Sequence, residues 1–228
     1  MKKMTLAALA GAALMAIGAP VAHAEVVTFE NAPLGIVLPG ETISSGGFRL
    51  TQLVDTGLVG QNADFSVFNN APNGNPTQYY GVFNDGSVQL THSDRNFRLL
   101  GLDLAFITAL DSAYDPGDQP GALLLQGLGV NGNSYSALAS FGAADASGEF
   151  SFLTAGTGAL GALGTQYVTS LTLTACTFDG LGGCITGGTN LNQFAIDNLV
   201  LAVPEPGSLA LAALALCGAG FVRRRQTR

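Results

Sequence analysis

The chain has 228 residues, of which 47% are hydrophobic and only 11% are charged. The hydrophobic share excludes intrinsic disorder, and the length suits one domain or at most two. The formal net charge of −7 argues against a nucleic-acid partner. A protein that binds a phosphate backbone needs clustered Lys and Arg side chains.

The first 24 residues have the pattern of a secretory signal peptide. Lys2 and Lys3 form a basic start, 5–19 is an apolar run, and Ala22-His23-Ala24 has the small-x-small spacing of a cleavage site. A retained transmembrane helix is the alternative, but the apolar run is shorter than the roughly 20 residues that a span needs. We therefore predict a cleaved signal peptide over 1–24 and export through the Sec machinery.

The chain ends with a proline motif, an apolar run over 208–222 and a basic segment over 223–228. The motif over 203–207 consists of Val203, Pro204, Glu205, Pro206 and Gly207. The basic anchor consists of Arg223, Arg224 and Arg225. The apolar run predicts a short transmembrane helix, with the arginines on the cytoplasmic side of the inner membrane. That orientation places 25–202 outside. A buried helix of a soluble domain is the alternative, but it explains neither the arginines nor the lack of a polar face.

Motif, helix and basic cluster together resemble the PEP-CTERM sorting tail of Gram-negative bacteria that make extracellular polysaccharide. The resemblance covers 203–225 and implies that an exosortase, a membrane Cys transpeptidase, recognises the Pro-Glu-Pro motif and processes the tail. It also implies a membrane-anchored precursor that is then sorted to the cell surface or outside the cell. The same tail is sometimes labelled an ice-binding protein C-terminal domain, a label that describes the tail alone.

The charge of the exported domain differs from that of the whole chain. Residues 25–202 contain fifteen acidic residues and only three basic ones, Arg49, Arg95 and Arg98, a net charge of −12. Such a domain repels anionic polymers and attracts divalent cations.

Cys176 and Cys184 lie eight positions apart around a Gly-rich turn. In an oxidising compartment this spacing predicts a disulfide that closes a hairpin loop. A metal pair is the alternative, but no further ligands stand at suitable spacing.

Period-two alternation dominates 25–202 and predicts an all-β, antiparallel β-sandwich, jelly-roll-like, of about ten strands. Asn-Gly, Asp-Gly and Gly-Gly turns separate the candidates. The candidate strands are 26–30, 48–51, 65–68, 79–83, 87–91, 100–106, 122–130, 134–140, 149–153, 169–175 and 193–201.

The last of these strands changes phase. Phe194 and Ile196 alternate, as do Leu199 and Leu201, so one extra residue predicts a β-bulge at 197–198. The first and last strands resemble those of exported carbohydrate-binding jelly rolls. That resemblance implies that these two strands pair and makes Glu30 and Asp197 candidate ligands of a structural calcium.

Asp111, Asp115 and Asp118 place three carboxylates on one Gly/Pro loop. Hard oxygen ligands on a flexible loop suit Ca²⁺. The alternative is a solvated acidic turn in which Asp-Pro-Gly makes the bend, and the sequence leaves both open.

The adjacent rings of Tyr79 and Tyr80 follow an amide-rich loop and are candidate sugar contacts. A turn-rich loop that leads into a strand is the alternative.

No catalytic set is recognisable, since His92 is the sole histidine of 25–202 and no Gly-x-Ser-x-Gly elbow is present. We therefore expect a non-enzymatic surface or matrix protein with a structural or adhesive role in exopolysaccharide or biofilm. A carbohydrate-binding module and an exported hydrolase are the alternatives.

Overall fold

The computed structural model describes residues 22–66, 71–109, 112–181, 183–188 and 190–204. The chain divides into two compact units, one of Ala24–Ala202 and one of Met1–His23 and Val203–Arg228. Of the chain ends, only 22–23 and 203–204 lie in the described part. The larger unit is a β-sandwich.

The described residues form fourteen strands in two sheets of seven. Sheet A consists of β1 (Ala22–Val27), β2 (Gly35–Val37), β5 (Gly57–Gly60), β6 (Tyr79–Val82), β8 (Arg98–Phe106), β11 (Leu153–Gly156) and β14 (Phe194–Pro204). Sheet B consists of β3 (Thr42–Ser45), β4 (Phe48–Val54), β7 (Ser87–His92), β9 (Gly121–Gly129), β10 (Ser134–Ser140), β12 (Val168–Phe178) and β13 (Cys184–Ile185). Two short helical segments are also described, α1 (Asn62–Phe65) and a 3₁₀ turn at Gly161–Gly164.

The strand order is β11-β8-β14-β6-β5-β2 in sheet A, with β1 also paired to β14. In sheet B it is β10-β9-β12-β7-β4-β3, with β13 paired to β12. Neighbours along both orders run antiparallel. The predicted all-β antiparallel sandwich is confirmed. The first and last strands pair as expected, but β1 ends at Val27, so the predicted strand 26–30 is wrong beyond that residue and Glu30 lies outside it.

The main core lies between the two sheets. In β4, Phe48, Leu50 and Gln52 are buried on one side of the strand, because alternate residues of a strand share a face. Tyr80 of sheet A donates a hydrogen bond from its hydroxyl to Gln52 Oε1 over 2.5 Å. These faces therefore meet, and Val82, two residues after Tyr80, is buried on the same side.

A second, smaller core covers the opposite face of sheet A. It contains Leu58, Phe65, Tyr79, Phe83, Ala105, Ile107 and Ala195, with Ala71 and Phe152 packed against it. The Phe65 ring sits so close to Gly81 that a Cβ at that position would lie 2.2 Å from it. Helix α1 therefore packs directly on the backbone of β6.

The strand predicted over 65–68 is wrong at its first residue, because Phe65 ends helix α1. Residues 67–68 lie outside the described part of the chain. A short helix was missed because its only buried residue is Phe65, which leaves no helical period to detect.

Candidate functional site

The predicted bulge in β14 is confirmed. Asp197 pairs with Asp103 of β8, and the next pair joins Val200 to Gly101. Strand β14 therefore advances three residues while β8 advances two. At the following pair, Leu201 with Leu99, β14 advances one residue while β8 advances two, so the register on the far side of the bulge is restored. Asn198 has φ 48°, in the left-handed region that Asn tolerates better than most residues.

The bulge carries a buried carboxylate. The Asp197 side chain is only 1% exposed, and its Oδ2 accepts a hydrogen bond from Asn75 Nδ2 over 2.9 Å. Thr77 orients Asn75, since its N–H and its hydroxyl both donate to Asn75 Oδ1 at 2.9 and 2.6 Å. Asp197 Oδ1 has no hydrogen-bond partner among the described residues. An acceptor is therefore left open inside the protein.

Burial raises the pKa of Asp197, because the charged form loses its hydration. The hydrogen bonds from Asn75 and from the backbone of Asn198 oppose this rise in pKa. The nearby carboxylates Glu30 and Asp103 raise the pKa of Asp197 further by charge repulsion. A bound cation would relieve each of the unfavourable contributions.

Asp103 differs from Asp197 because both of its oxygens are occupied. Thr154 Oγ1 donates to Oδ1 over 2.5 Å, and Asn198 Nδ2 donates to Oδ2 over 2.8 Å. Sequence reasoning missed Asp103 and Asn75 as neighbours of Asp197. Asn75 stands 122 positions from Asp197, and Asp103 has the pattern of an ordinary outward residue of a strand.

Asp197, Asp103 and Asn75 together contain the hard oxygen ligands that Ca²⁺ prefers. No group of three or more His, Cys, Asp or Glu side chains in the described ranges is close enough to hold a metal. A cation at Asp197 would therefore complete its coordination with amide, backbone carbonyl or water oxygens. The open Oδ1 atom fits such a cation, while Glu30, which is exposed, acts on Asp197 through its charge.

The acidic loop has the geometry of a turn. Asp115 donates its backbone N–H to Asp118 Oδ2 over 2.9 Å, and Asp118 N–H donates to the Asp115 carbonyl over 3.0 Å. Gly117 supplies φ 92°, and both carboxylates are exposed. Asp111 lies outside the described residues. This geometry favours the turn over a calcium loop.

The structure corrects the predicted sugar platform. Tyr79 and Tyr80 are both completely buried, with Tyr79 in the second core and Tyr80 in the main core. Neither ring offers a face to a ligand. The strand places consecutive side chains on opposite faces of sheet A, and both faces of that sheet are covered here.

The predicted disulfide between Cys176 and Cys184 is confirmed, with the two Cα atoms 5.4 Å apart. It joins β12 to β13, where Phe178 pairs with Cys184. Closing so short a loop contributes about 2–3 kcal/mol to stability.

His92 has a structural environment. Its Nδ1 accepts the backbone N–H groups of Asp94 and Arg95 at 3.3 and 3.2 Å, and its ring meets Phe48 edge to face. The same Nδ1 also lies 3.0 Å from Asp94 Oδ1. A Cβ at Gly47 would lie 2.5 Å from Nε2, so the ring packs against that backbone. The imidazole is therefore held at the end of β7 by contacts on both ring nitrogens.

Six uncharged polar residues form a row across the outer face of sheet B, hereafter the polar row. In register they are Thr42, Thr51, Gln89, Thr172, Gln126 and Ser136. All six are exposed or half-buried, whereas Leu50, Leu90 and Leu171 beside them are buried. Five interstrand spacings make the row about 24 Å long. Sequence reasoning missed it because its members come from six separate strands.

The sorting motif begins where the fold ends. Val203 and Pro204 are the last two residues of β14. Glu205, Pro206, the predicted span 208–222 and the basic anchor Arg223, Arg224 and Arg225 lie outside the described residues. The predicted signal peptide lies outside them as well, apart from 22–24, which open β1. Within the described part of the chain, no helix is long and apolar enough to cross a membrane.

Similar solved structures are carbohydrate-binding modules. A family 29 module is 12% identical, with 80% of this chain and 89% of that chain covered and a TM-score of 0.33. The CBM22-1 xylan-binding domain from Paenibacillus barcinonensis Xyn10C is 12% identical, with 83% and 99% covered and a TM-score of 0.31. Similarities at this level carry no argument about ligands.

The comparison with curated protein sequences finds no match. The C-terminal end, by contrast, matches a family model. Residues 202–226 match the PEP-CTERM protein-sorting motif, and the chain therefore carries a motif that implies export and sorting to the cell surface.

Proposed function

We propose that this chain is an exported protein that an exosortase-type enzyme sorts to the cell surface or the extracellular matrix. There its jelly-roll-like sandwich has a structural or adhesive role in exopolysaccharide or biofilm. The observation that carries the proposal is the sorting motif at 202–226, which starts at the end of the last strand. In the precursor, the predicted helix over 208–222 anchors the sandwich to the outside of the inner membrane.

Intact-mass analysis of the protein from its native envelope tests this proposal. We expect a mature chain that begins at Glu25 and lacks its C-terminal tail. Glu205→Ala should block loss of the tail, because it removes the acidic residue of the Pro-Glu-Pro motif, while Thr227→Ala, outside the matched residues, should not. A soluble cytoplasmic chain that retains Met1 would contradict the proposal.

The polar row supports a second candidate function, binding of a neutral polysaccharide. Its hydroxyl and amide groups can each donate and accept hydrogen bonds, as sugar hydroxyls do. The net charge of −12 over 25–202 would repel an anionic polymer. A carbohydrate-binding role through this face would also explain how the protein adheres to a matrix.

Pull-down with neutral and anionic polysaccharides tests the polar row. We expect the Gln89→Ala/Gln126→Ala double variant to bind a neutral polysaccharide about tenfold or more weakly, because each lost hydrogen bond contributes about 1 kcal/mol. Gln119→Ala, which changes an exposed glutamine outside sheet B, is the matched control. Equal binding by both variants would exclude the row, and absence of any binding would leave the structural role.

We also propose that Asp197 binds a structural Ca²⁺ with Glu30 nearby. The open Oδ1 atom and the raised pKa of Asp197 support this site. The loop of Asp111, Asp115 and Asp118 is a weaker candidate, because the described carboxylates cap their own turn.

A further inference from the structure

Strand β2 forms one edge of sheet A. The strand order of that sheet ends at β2, which pairs with β5 on one side, and no other strand in the described part of the chain pairs with it. An edge strand presents backbone N–H and C=O groups that can bond to a further strand. The free side of β2 is therefore a place where another strand can be added to the sandwich.

The hydrogen bonding of β5 determines which groups of β2 point to the free side. Phe83 N–H donates to the Thr56 carbonyl over 3.0 Å, so these opposite residues form a hydrogen-bonded pair where β5 meets β6. Backbone groups of successive residues point to opposite sides of a strand. Those of Gly57 therefore point to Val37 of β2, and by the same alternation those of Ile36 point away from β5.

The next outward-pointing groups along the chain are already bonded. Leu38 N–H donates to Glu41 Oε2 over 2.8 Å, and the Leu38 carbonyl accepts the Glu41 N–H over 2.9 Å. Ile36 is therefore the residue of β2 whose N–H and C=O groups are both directed at the free edge. Pro33 and Pro39 lack an N–H and confine further pairing to residues 34–38.

The free edge is also apolar. Leu34 is 64% exposed, Ile36 is 58% exposed and Leu38 is 52% exposed, all within one short segment. Ile36 pairs with Leu58 of the second core, so its side chain continues that core to the edge of sheet A. The exposed side chains of the other edge strands, β3, β10 and β11, are mainly those of Ser, Thr and Gly. An exposed apolar edge is therefore a particular property of β2.

The sequence of this edge is nearly symmetric about Ile36. Residues 33–39 read Pro-Leu-Gly-Ile-Val-Leu-Pro, with Leu34 and Leu38 at equal distances from the centre. When two such strands pair antiparallel about Ile36, Leu34 of one lies opposite Leu38 of the other, and each Ile36 N–H meets the other Ile36 carbonyl. A segment that is complementary to itself in this way fits a second copy of the same chain across a two-fold axis.

We propose that two copies of this protein associate edge to edge through β2, with the two-fold axis at Ile36. The pairing joins the two copies of sheet A into one continuous sheet and joins their second cores across the axis. The contact is small, since each copy contributes three exposed apolar side chains, and the association is therefore weak. Its symmetry closes it, which produces a dimer rather than a fibre. The inference rests on neither the sorting motif nor the polar row.

Charge determines how the association depends on salt. Residues 31–40 contain no charged side chain, so the paired edges themselves do not repel each other. The two domains do repel each other, because each has a net charge of −12 over 25–202. Added salt screens this repulsion. We therefore expect the dimer to be favoured at high ionic strength.

Cysteine cross-linking of the full-length chain in detergent tests the contact. Every variant carries Cys217→Ser, so that the introduced cysteine accompanies only the native pair Cys176–Cys184. Opposite Cα atoms of a hydrogen-bonded pair lie about 5.5 Å apart, a distance that a disulfide spans. Ile36→Cys should therefore form a covalent dimer under mild oxidation, in higher yield at high salt. Leu138→Cys, at a 50% exposed position of the edge strand β10, is the matched control and should not dimerise.

Two further variants test the register of the pairing. Leu34→Cys and Leu38→Cys chains should cross-link when they are mixed, and not when either is oxidised alone, because each residue lies opposite the other across the axis. Adding Ile36→Pro to both chains removes the N–H that points to the second copy and leaves the hydrogen bonds with β5 in place. Each lost hydrogen bond lowers an association constant about fivefold, so the loss of both should weaken the association about 25-fold.

Equal yields from Ile36→Cys and Leu138→Cys would overturn the proposal. Cross-linking of Leu34→Cys chains with themselves to the same extent as in the mixture would overturn it as well. A yield that falls as salt is added would indicate an electrostatic contact and would contradict the apolar pairing. Cross-linking of Ile36→Cys to a different protein in native envelopes, without the dimer, would assign the edge to that protein and would refute self-association.

Discussion

Two adjacent tyrosines show how far a residue's environment depends on its face of the strand. Burial raises the pKa of both Tyr79 and Tyr80, so both hydroxyls stay protonated. The Tyr80 hydroxyl donates to Gln52, whose Nε2 in turn donates to the Val54 carbonyl over 2.7 Å. The Tyr79 hydroxyl is buried without a hydrogen-bond partner among the described residues.

The two Tyr→Phe substitutions should therefore have different effects on stability. Tyr80→Phe leaves Gln52 Oε1 unpaired between the sheets and should lower the free energy of unfolding by about 1–3 kcal/mol. Tyr79→Phe removes a hydroxyl that is already unpaired and should cause no loss. Chemical denaturation measures both, with each variant as the other's control. Equal losses would show that the hydrogen bond to Gln52 does not stabilise the fold.

At the scale of elements, the buried Asp197 in the bulge of β14 predicts an unusual pH dependence of the free energy of unfolding. The pKa of Asp197 in the folded state is raised above its ordinary value of 3.8. Between that value and the raised pKa, the folded protein holds a proton that the unfolded chain has lost. Asp197 therefore makes the metal-free protein less stable as the pH rises through this window. Asp197→Asn should abolish this dependence of stability on pH. Asp55→Asn, which changes an exposed residue in a turn, should leave it unchanged.

Binding of Ca²⁺ should reverse the loss of stability that the ionised Asp197 carboxylate causes. Added Ca²⁺ at neutral pH should raise the Tm of the wild-type protein, because a ligand at 100 times its Kd stabilises the folded state by about 2.7 kcal/mol. The Asp197→Asn variant should not respond. An unchanged wild-type Tm in EDTA and in excess Ca²⁺ would contradict a calcium site at the bulge.

The elements that the sequence predicted well are those with a long alternating pattern. Strands β8, β9, β10 and β12 span seven to eleven residues, so their burial pattern is visible without a structure. Strand β5 was missed because all four of its residues are buried, and a strand covered on both faces shows no alternation. The predicted strand over 149–153 overlaps β11 only at Leu153.

At the scale of the whole molecule, the net charge of −7 is an average over unlike regions. Six of the nine basic residues belong to the predicted signal peptide and tail, whereas 25–202 contains fifteen acidic residues and only three basic ones. The covered outer face of sheet A leaves the outer face of sheet B, which carries the polar row and the exposed Arg49, as the broad open surface of the described sandwich.

The sequence by itself determined the sorting motif, the antiparallel sandwich, the disulfide and the bulge, because each depends on local spacing along the chain. Only the tertiary structure decided which side chains meet. It buried Tyr79 and Tyr80, placed Asn75 against Asp197 and aligned the polar row. These arrangements depend on strand register and on the order of strands in each sheet. Register and strand order arise from contacts between distant segments, and local patterns do not encode them.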